Sequence, residues 1–210
     1  MLALSADLCA ALQAAATPVI LLEGTRHLPD TDHAILQRIA TRLFEQFPHA
    51  IFRSGYAEST DTIFANAIAR LDTARLQLVL PHAGMGRARR PAGAACFSLD
   101  TVPPDELESL AAITGQAGRD AGRLADYYLR GPEARKTAVG NKAAYLLRNT
   151  LKVVGSTKLG LSPAALGIFR VNPTDPSGGG TGHTIKVCEI QRLPHMNQAC
   201  DQGWAAFNGS

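Results

Sequence analysis

At 210 residues, 46% hydrophobic and 19% charged, the chain has enough apolar material for one well-buried core, and a second full domain would be cramped. A net charge of +3 falls short of the dense basic face of a dedicated nucleic-acid binder. The early apolar run Val19 to Leu22 is far too short to span a bilayer, and no basic segment precedes it, so neither a membrane anchor nor a signal peptide is expected.

Residues 5–15 read as a short helix, with Leu8, Leu12 and Ala15 at helical spacing and Ser5 as a cap. A strand is expected over 18–23. The stripe Ile35, Leu36, Ile39, Leu43, Phe44, Phe47 then predicts a helix that Pro48 ends. A strand at 50–54 follows, then a helix begun by Ser59 or Thr60 and carried by Ile63, Phe64, Ala67, Ile68 and Leu71, then a strand at 76–81. This alternation calls for right-handed crossovers and a parallel sheet.

The segment 95–99 reads as a short strand. Pro103-Pro104-Asp105 opens a helical stretch that Gly115, Gly118 and Gly122 should weaken. A further helix runs through Lys142 to Asn149, a strand covers 165–171, and Thr181 to Arg192 forms the closing helix, followed by a terminal segment with Trp204 and Phe207. The expected fold is α/β, a Rossmann-like three-layer sandwich with a mostly parallel sheet. It forms a single domain over 1–210, with an N-terminal helix in 1–16 and a C-terminal tail at 196–210.

Three turns of one kind follow expected strands. They are Glu23-Gly24-Thr25-Arg26, Arg53-Ser54-Gly55-Tyr56-Ala57-Glu58-Ser59-Thr60-Asp61, and Ser177-Gly178-Gly179-Gly180-Thr181-Gly182-His183-Thr184. A strand-to-helix turn presents unpaired N–H groups and the positive end of a helix dipole, and glycine lets a phosphate come close to the backbone. In a parallel sheet the strand C-termini share one edge, so the three turns are expected to face a single crevice.

A bound phosphate needs a cation beside those N–H groups, which Arg26, Arg53 or Arg148 could supply together with Gly179 to His183. Ribose hydroxyls need acceptors, and Asp61, Glu58 and Asn149 qualify; Tyr56 offers an aromatic wall for a base. The loop Gly86-Arg87-Ala88-Arg89-Arg90-Pro91 is the most concentrated basic segment.

No metal site and no cofactor are expected. The six histidines include no closely spaced ligand pair. Cys9, Cys96, Cys188 and Cys200 show neither zinc spacing nor a disulfide framework, which suits a reducing cytoplasm. No lysine follows the glycines at P-loop spacing, and no nucleophile elbow is present.

Taken in order, Glu23-Gly24-Thr25-Arg26, Gly55 through Asp61, Arg148-Asn149 and Gly179-Gly180-Thr181-Gly182-His183-Thr184 resemble the motifs of the SLOG superfamily of Rossmann-like proteins, over about residues 18–195. That superfamily includes the LOG phosphoribohydrolases, the DNA-processing protein DprA and the YpsA-like proteins. The resemblance implies nucleotide binding at the strand C-termini and a homo-oligomer, often a dimer. Gly24, Thr25 and Arg26 match its first loop, and Arg53, Ser54, Gly55, Tyr56 and Asp61 lie in or beside its second, where Ser59 stands at a position often filled by glycine.

LOG enzymes carry a catalytic glutamate three residues after the motif threonine. Thr184 occupies that position here, and Glu189 lies about two helical turns beyond Thr181. Glu58 is then the candidate general base. The expected function is binding of a nucleotide or nucleotide-derived small molecule, as a sensor or a divergent N-glycosidic hydrolase. The alternative is a DprA-like nucleic-acid-binding protein using Arg87, Arg89 and Arg90.

Overall fold

A computed structural model describes residues 4–199. Its elements run α1 (Ala6–Ala14), β1 (Val19–Gly24), α2 (His33–Gln46), β2 (Ile51–Ser54), α3 (Thr60–Leu71), β3 (Leu76–Leu80), β4 (Ala95–Ser98), α4 (Pro104–Gln116), α5 (Arg119–Leu129), α6 (Pro132–Arg135), α7 (Ala138–Val154), β5 (Leu166–Arg170), α8 (Gly179–Ile190) and β6 (His195–Asn197). Among the described residues the strands form one sheet in the order β4-β3-β2-β1-β5-β6, with every pairing parallel. The architecture is therefore α/β and Rossmann-like, as the alternation of patterns requires.

Side-chain alternation along the strands builds the layers. Ile20 and Leu22 of β1 join Leu36, Ile39 and Leu43 of α2 and Phe64 and Ile68 of α3 on one face. Val19 and Leu21 turn to the other face, against Val153 of α7 and Val187 and Cys188 of α8. Val79 faces a cluster built from Leu107 and Leu110 of α4, Ala125 and Tyr128 of α5, and Leu147 and Leu151 of α7.

The chain moves one way from β1 to β4 and the other way from β5 to β6. The connecting helices swap faces accordingly, and the order reverses between β1 and β5. A crevice outside the strand C-termini at such a reversal is where α/β proteins hold ligands.

Local chemistry explains several details. Thr137 caps α7 by accepting from the Gly140 N–H at 3.0 Å. The expected weakness around Gly115, Gly118 and Gly122 resolves into two helices: α4 ends before Gly118, α5 starts after it, and Gly115 and Gly122 meet. A Cβ on Gly122 would lie 3.2 Å from the Gly115 Cα, so these glycines permit a close helix crossing. Ser59 has φ +75 and ψ −119, a conformation suited to glycine, which is the residue that the resemblance associates with this position. The tail expected from 196 begins inside β6. Trp204 and Phe207 lie outside the described residues.

Candidate functional site

At the reversal of strand order lies a cleft of about 760 Å³, lined by the end of β1, the first residues of α8, the loop after β5, and one face of α5 and α7. Most of the residues singled out by the glycine motifs meet here: Gly24, Thr25, Arg26, Asp61, Arg148, Asn149, Gly179, Gly180 and Thr181 all line it. Its size suits a small molecule of nucleotide dimensions.

α8 begins at Gly179 with no side-chain cap among the described residues, so its first N–H groups have no intrahelical partner, and the residues that carry them, Gly179, Gly180 and Thr181, line the cleft. The helix is seated by close contacts that exclude side chains. A Cβ on Gly182 would lie 2.0 Å from the Ser177 carbonyl oxygen, and one on Gly180 3.1 Å from Asn149 Nδ2. Asn149 donates from Nδ2 to the Gly180 carbonyl at 3.0 Å, while its Oδ1 is buried without a partner among the described residues.

Arg148, from the same turn of α7, is 3% exposed. Its guanidinium lies over Gly55, where an added Cβ would be 1.5 Å from Nη1. Asp61 approaches Nη1 at 4.0 Å, but Nε and Nη1 have no hydrogen-bond partner among the described residues. Burial lowers the Arg148 pKa, and the charges of Asp61 and Glu23 oppose that shift. A buried guanidinium with unspent donors is costly unless something accepts from it.

Asp61 joins the first two loops. Its Oδ1 accepts from the Gly24 N–H at 3.0 Å and its Oδ2 from the Ala57 N–H at 3.4 Å. Glu23, at the end of β1 and itself part of the cleft lining, pairs with Lys152 of α7, Nζ to Oε2 at 2.5 Å, and the Thr184 hydroxyl lies 2.9 Å from its Oε1. Burial raises the Glu23 carboxyl and lowers the Lys152 ammonium, each opposed by the other's charge. Thr184 thus rests against a carboxylate contributed by β1.

Other expected site residues sit elsewhere. Arg53 is fully buried on the α7 side of β2. It donates to Gln77 Oε1 at 3.0 and 2.8 Å and to the Lys152 and Ser162 carbonyls at 2.8 Å each, and burial lowers its pKa to about 9. Its donors are consumed holding the C-terminus of α7 to the sheet. Ser54 donates to the Asp61 carbonyl at 3.2 Å and shapes the second loop. Gly55 makes room for Arg148.

Tyr56 donates its hydroxyl to the Arg89 carbonyl and lines an adjoining chamber rather than the cleft. Glu58 stands on the rim of that chamber, highly exposed and 3.7 Å from Arg89. Glu189 is exposed and outside both linings.

His183 points away from the cleft, with Nε2 3.3 Å from the Thr150 hydroxyl. Burial, aided by the Lys152 charge, lowers its pKa to about 4. In the unfolded chain it would take a proton near pH 6.5. Between pH 6.5 and about 4 the unfolded state therefore binds more protons, and stability falls as the pH falls through that window. His183→Gln is expected to flatten this part of the curve by up to about 1.4 kcal/mol per pH unit, measured by urea unfolding at each pH.

The motifs pointed to the edge of the sheet but passed over several residues that line it. Tyr145 separates the two chambers, with the Arg26 and Arg148 guanidinium carbons 5.6 and 5.4 Å from its ring centre. Its spacing three residues before Arg148 puts both on one helix face, a signal available in the sequence. Asp120 and Asp175 offer carboxylates at the cleft wall, suited to hydroxyl or amine groups of a ligand. Among the described residues no cluster of His, Cys, Asp or Glu could hold a metal ion, and no helix is long and apolar enough to cross a membrane.

No family model matches this sequence, and no curated protein matches it. Among solved structures, DNA processing protein A (DprA) from Streptococcus pneumoniae is similar in fold, with a TM-score of 0.45 and 14% sequence identity, over 96% of this chain and 56% of that one. This chain thus spans little more than half the length of the DprA chain.

Proposed function

We propose that this protein binds a nucleotide or nucleotide-derived small molecule, with its phosphate seated between the N-terminus of α8 and the Arg148 guanidinium. The observation that carries the reading is Arg148 itself, buried and holding Nε and Nη1 donors with no hydrogen-bond partner among the described residues, in a cleft that the uncapped N-terminus of α8 also lines. Cation, helix dipole and free N–H groups are the three components of a phosphate site. The partnerless Asn149 Oδ1 and the carboxylates of Asp120 and Asp175 supply acceptors for sugar hydroxyls.

The reading is of a binding protein rather than a LOG-like hydrolase. Thr184 holds the carboxylate position, and Glu58 is solvated on the rim of the adjoining chamber. The basic loop gives the nucleic-acid alternative little support, because Arg89 pairs with Glu58 and Arg90 donates to the Ala83 carbonyl at 2.6 Å and to the Met85 carbonyl. A cytoplasmic setting goes with this function and with Cys9, Cys96 and Cys188 as free thiols.

Native mass spectrometry of the purified protein, followed by calorimetric titration with AMP, GMP, CMP and UMP at several salt concentrations, tests the proposal. Binding of at least one monophosphate with a shallow salt dependence is expected. Tight binding of a single-stranded oligonucleotide with a steep salt slope, and none of the monophosphates, would replace the proposal with the nucleic-acid reading.

A further inference from the structure

Next to the cleft lies a second chamber of about 420 Å³, bordered by Tyr56, Thr62, Asn66, Met85, Arg89 and Tyr145. Arg26, Ala57 and Tyr145 line both spaces, so the chambers adjoin along a shared wall. The two differ in chemistry. The cleft holds the buried cation and the helix N-terminus, whereas the second chamber combines Tyr56, Met85 and Tyr145 with the neutral polar Thr62 and Asn66, and its charged residues are Arg26 and the Arg89–Glu58 pair.

Thr62 and Asn66 lie one turn apart on α3 and so share a face. The Thr62 hydroxyl donates to the Ala57 carbonyl at 2.7 Å, which leaves its oxygen free to accept. The Asn66 amide has no hydrogen-bond partner among the described residues, so it offers a donor beside an acceptor. At the boundary, Arg26 is exposed and forms no ion pair among the described residues, its guanidinium over the Tyr145 ring at 5.6 Å. A planar cation at a chamber mouth is a stacking surface for a flat heterocycle.

We infer that the second chamber receives the nucleobase of the ligand, with Asn66 reading its hydrogen-bonding edge and Arg26 stacking at its entrance. The inference rests on the phosphate reading of the cleft and extends it: phosphate and sugar occupy the cleft, and selectivity among bases comes from α3. The ligand class is then a nucleoside phosphate, since a sugar phosphate would leave the chamber empty.

The test compares ribose 5-phosphate with AMP, GMP, CMP and UMP by calorimetric titration, on the unaltered protein and on Asn66→Ala and Asn66→Asp. Asn66 is partly exposed on a helix, and equal melting temperatures without ligand would verify that both variants fold. At least one monophosphate is expected to bind about tenfold or more tighter than ribose 5-phosphate. Asn66→Ala should remove about tenfold of that advantage while leaving ribose 5-phosphate within about twofold. Asn66→Asp, which exchanges the donor for an acceptor, should reorder the four bases.

Equal binding of all five probes would overturn the base chamber and leave the phosphate site standing. Base selectivity unchanged in both variants would overturn the role of Asn66. No binding of any probe would overturn both this inference and the reading on which it rests.

Discussion

Lys152→Met is expected to destabilise the protein by about 3–5 kcal/mol, because it leaves the Glu23 carboxylate buried without its cation. Glu23 is 4% exposed and Lys152 fully buried, and the ammonium lies 2.5 Å from Oε2. The Thr184 hydroxyl at 2.9 Å is too weak a partner to replace a charge. Methionine keeps much of the volume of lysine, so the loss would be electrostatic rather than a cavity.

The double variant Glu23→Gln/Lys152→Met removes both charges and retains an amide that Thr184 can still meet. It is expected to recover most of the lost stability, as buried pairs often do when replaced together. Urea unfolding of the wild type, the two single variants and the double variant closes a mutant cycle that measures the coupling directly. A Lys152→Met variant no less stable than the double variant would show that the pair does not hold its charges in the folded state.

Arg148→Met is expected to weaken binding of the best-bound nucleoside monophosphate by about 10- to 100-fold, the worth of a charge-assisted hydrogen bond of roughly 1.5–3 kcal/mol. Its effect on the unliganded fold should be smaller than that of Lys152→Met. Two of its guanidinium nitrogens lack hydrogen-bond partners among the described residues, and Asp61 keeps its two backbone N–H contacts.

Gly55→Ala offers an independent route to the same loss. A methyl there would sit 1.5 Å from Arg148 Nη1 and 2.7 Å from Cζ. The guanidinium is the end of a long side chain and would swing away, while the Asp61 Oδ2, 2.7 Å from the same methyl, would have to shift within its loop. Both variants should fold and both should lose monophosphate binding in the same titration. Unchanged affinity in both would place the phosphate elsewhere in the molecule.

The sheet and its edge were legible in the sequence because they are encoded locally. Apolar runs such as Val19 to Leu22 alternate with stripes such as Leu36, Ile39 and Leu43, and the period of each dictates its element. Glycine runs directly after strands dictate where a backbone can approach an anion.

Which charged side chain faces that anion was decided by tertiary structure. Arg53 and Arg148 are alike in sequence as candidate cations, yet Arg53 lies on the strand face that packs under α7 and spends its donors on Gln77, Lys152 and Ser162. Arg148 arrives from α7 over the gap left by Gly55 and keeps donors free. His183 follows the glycines as a phosphate donor should, but the face of α8 that packs on α7 carries its ring to Thr150. Glu23 and Lys152, 129 residues apart, meet through the pairing of β1 with β5 and the packing of α7 on the sheet. Local periodicity specifies what each segment becomes, whereas charge pairing depends on the register and rotation of segments far apart in the chain, which only the assembled layers determine.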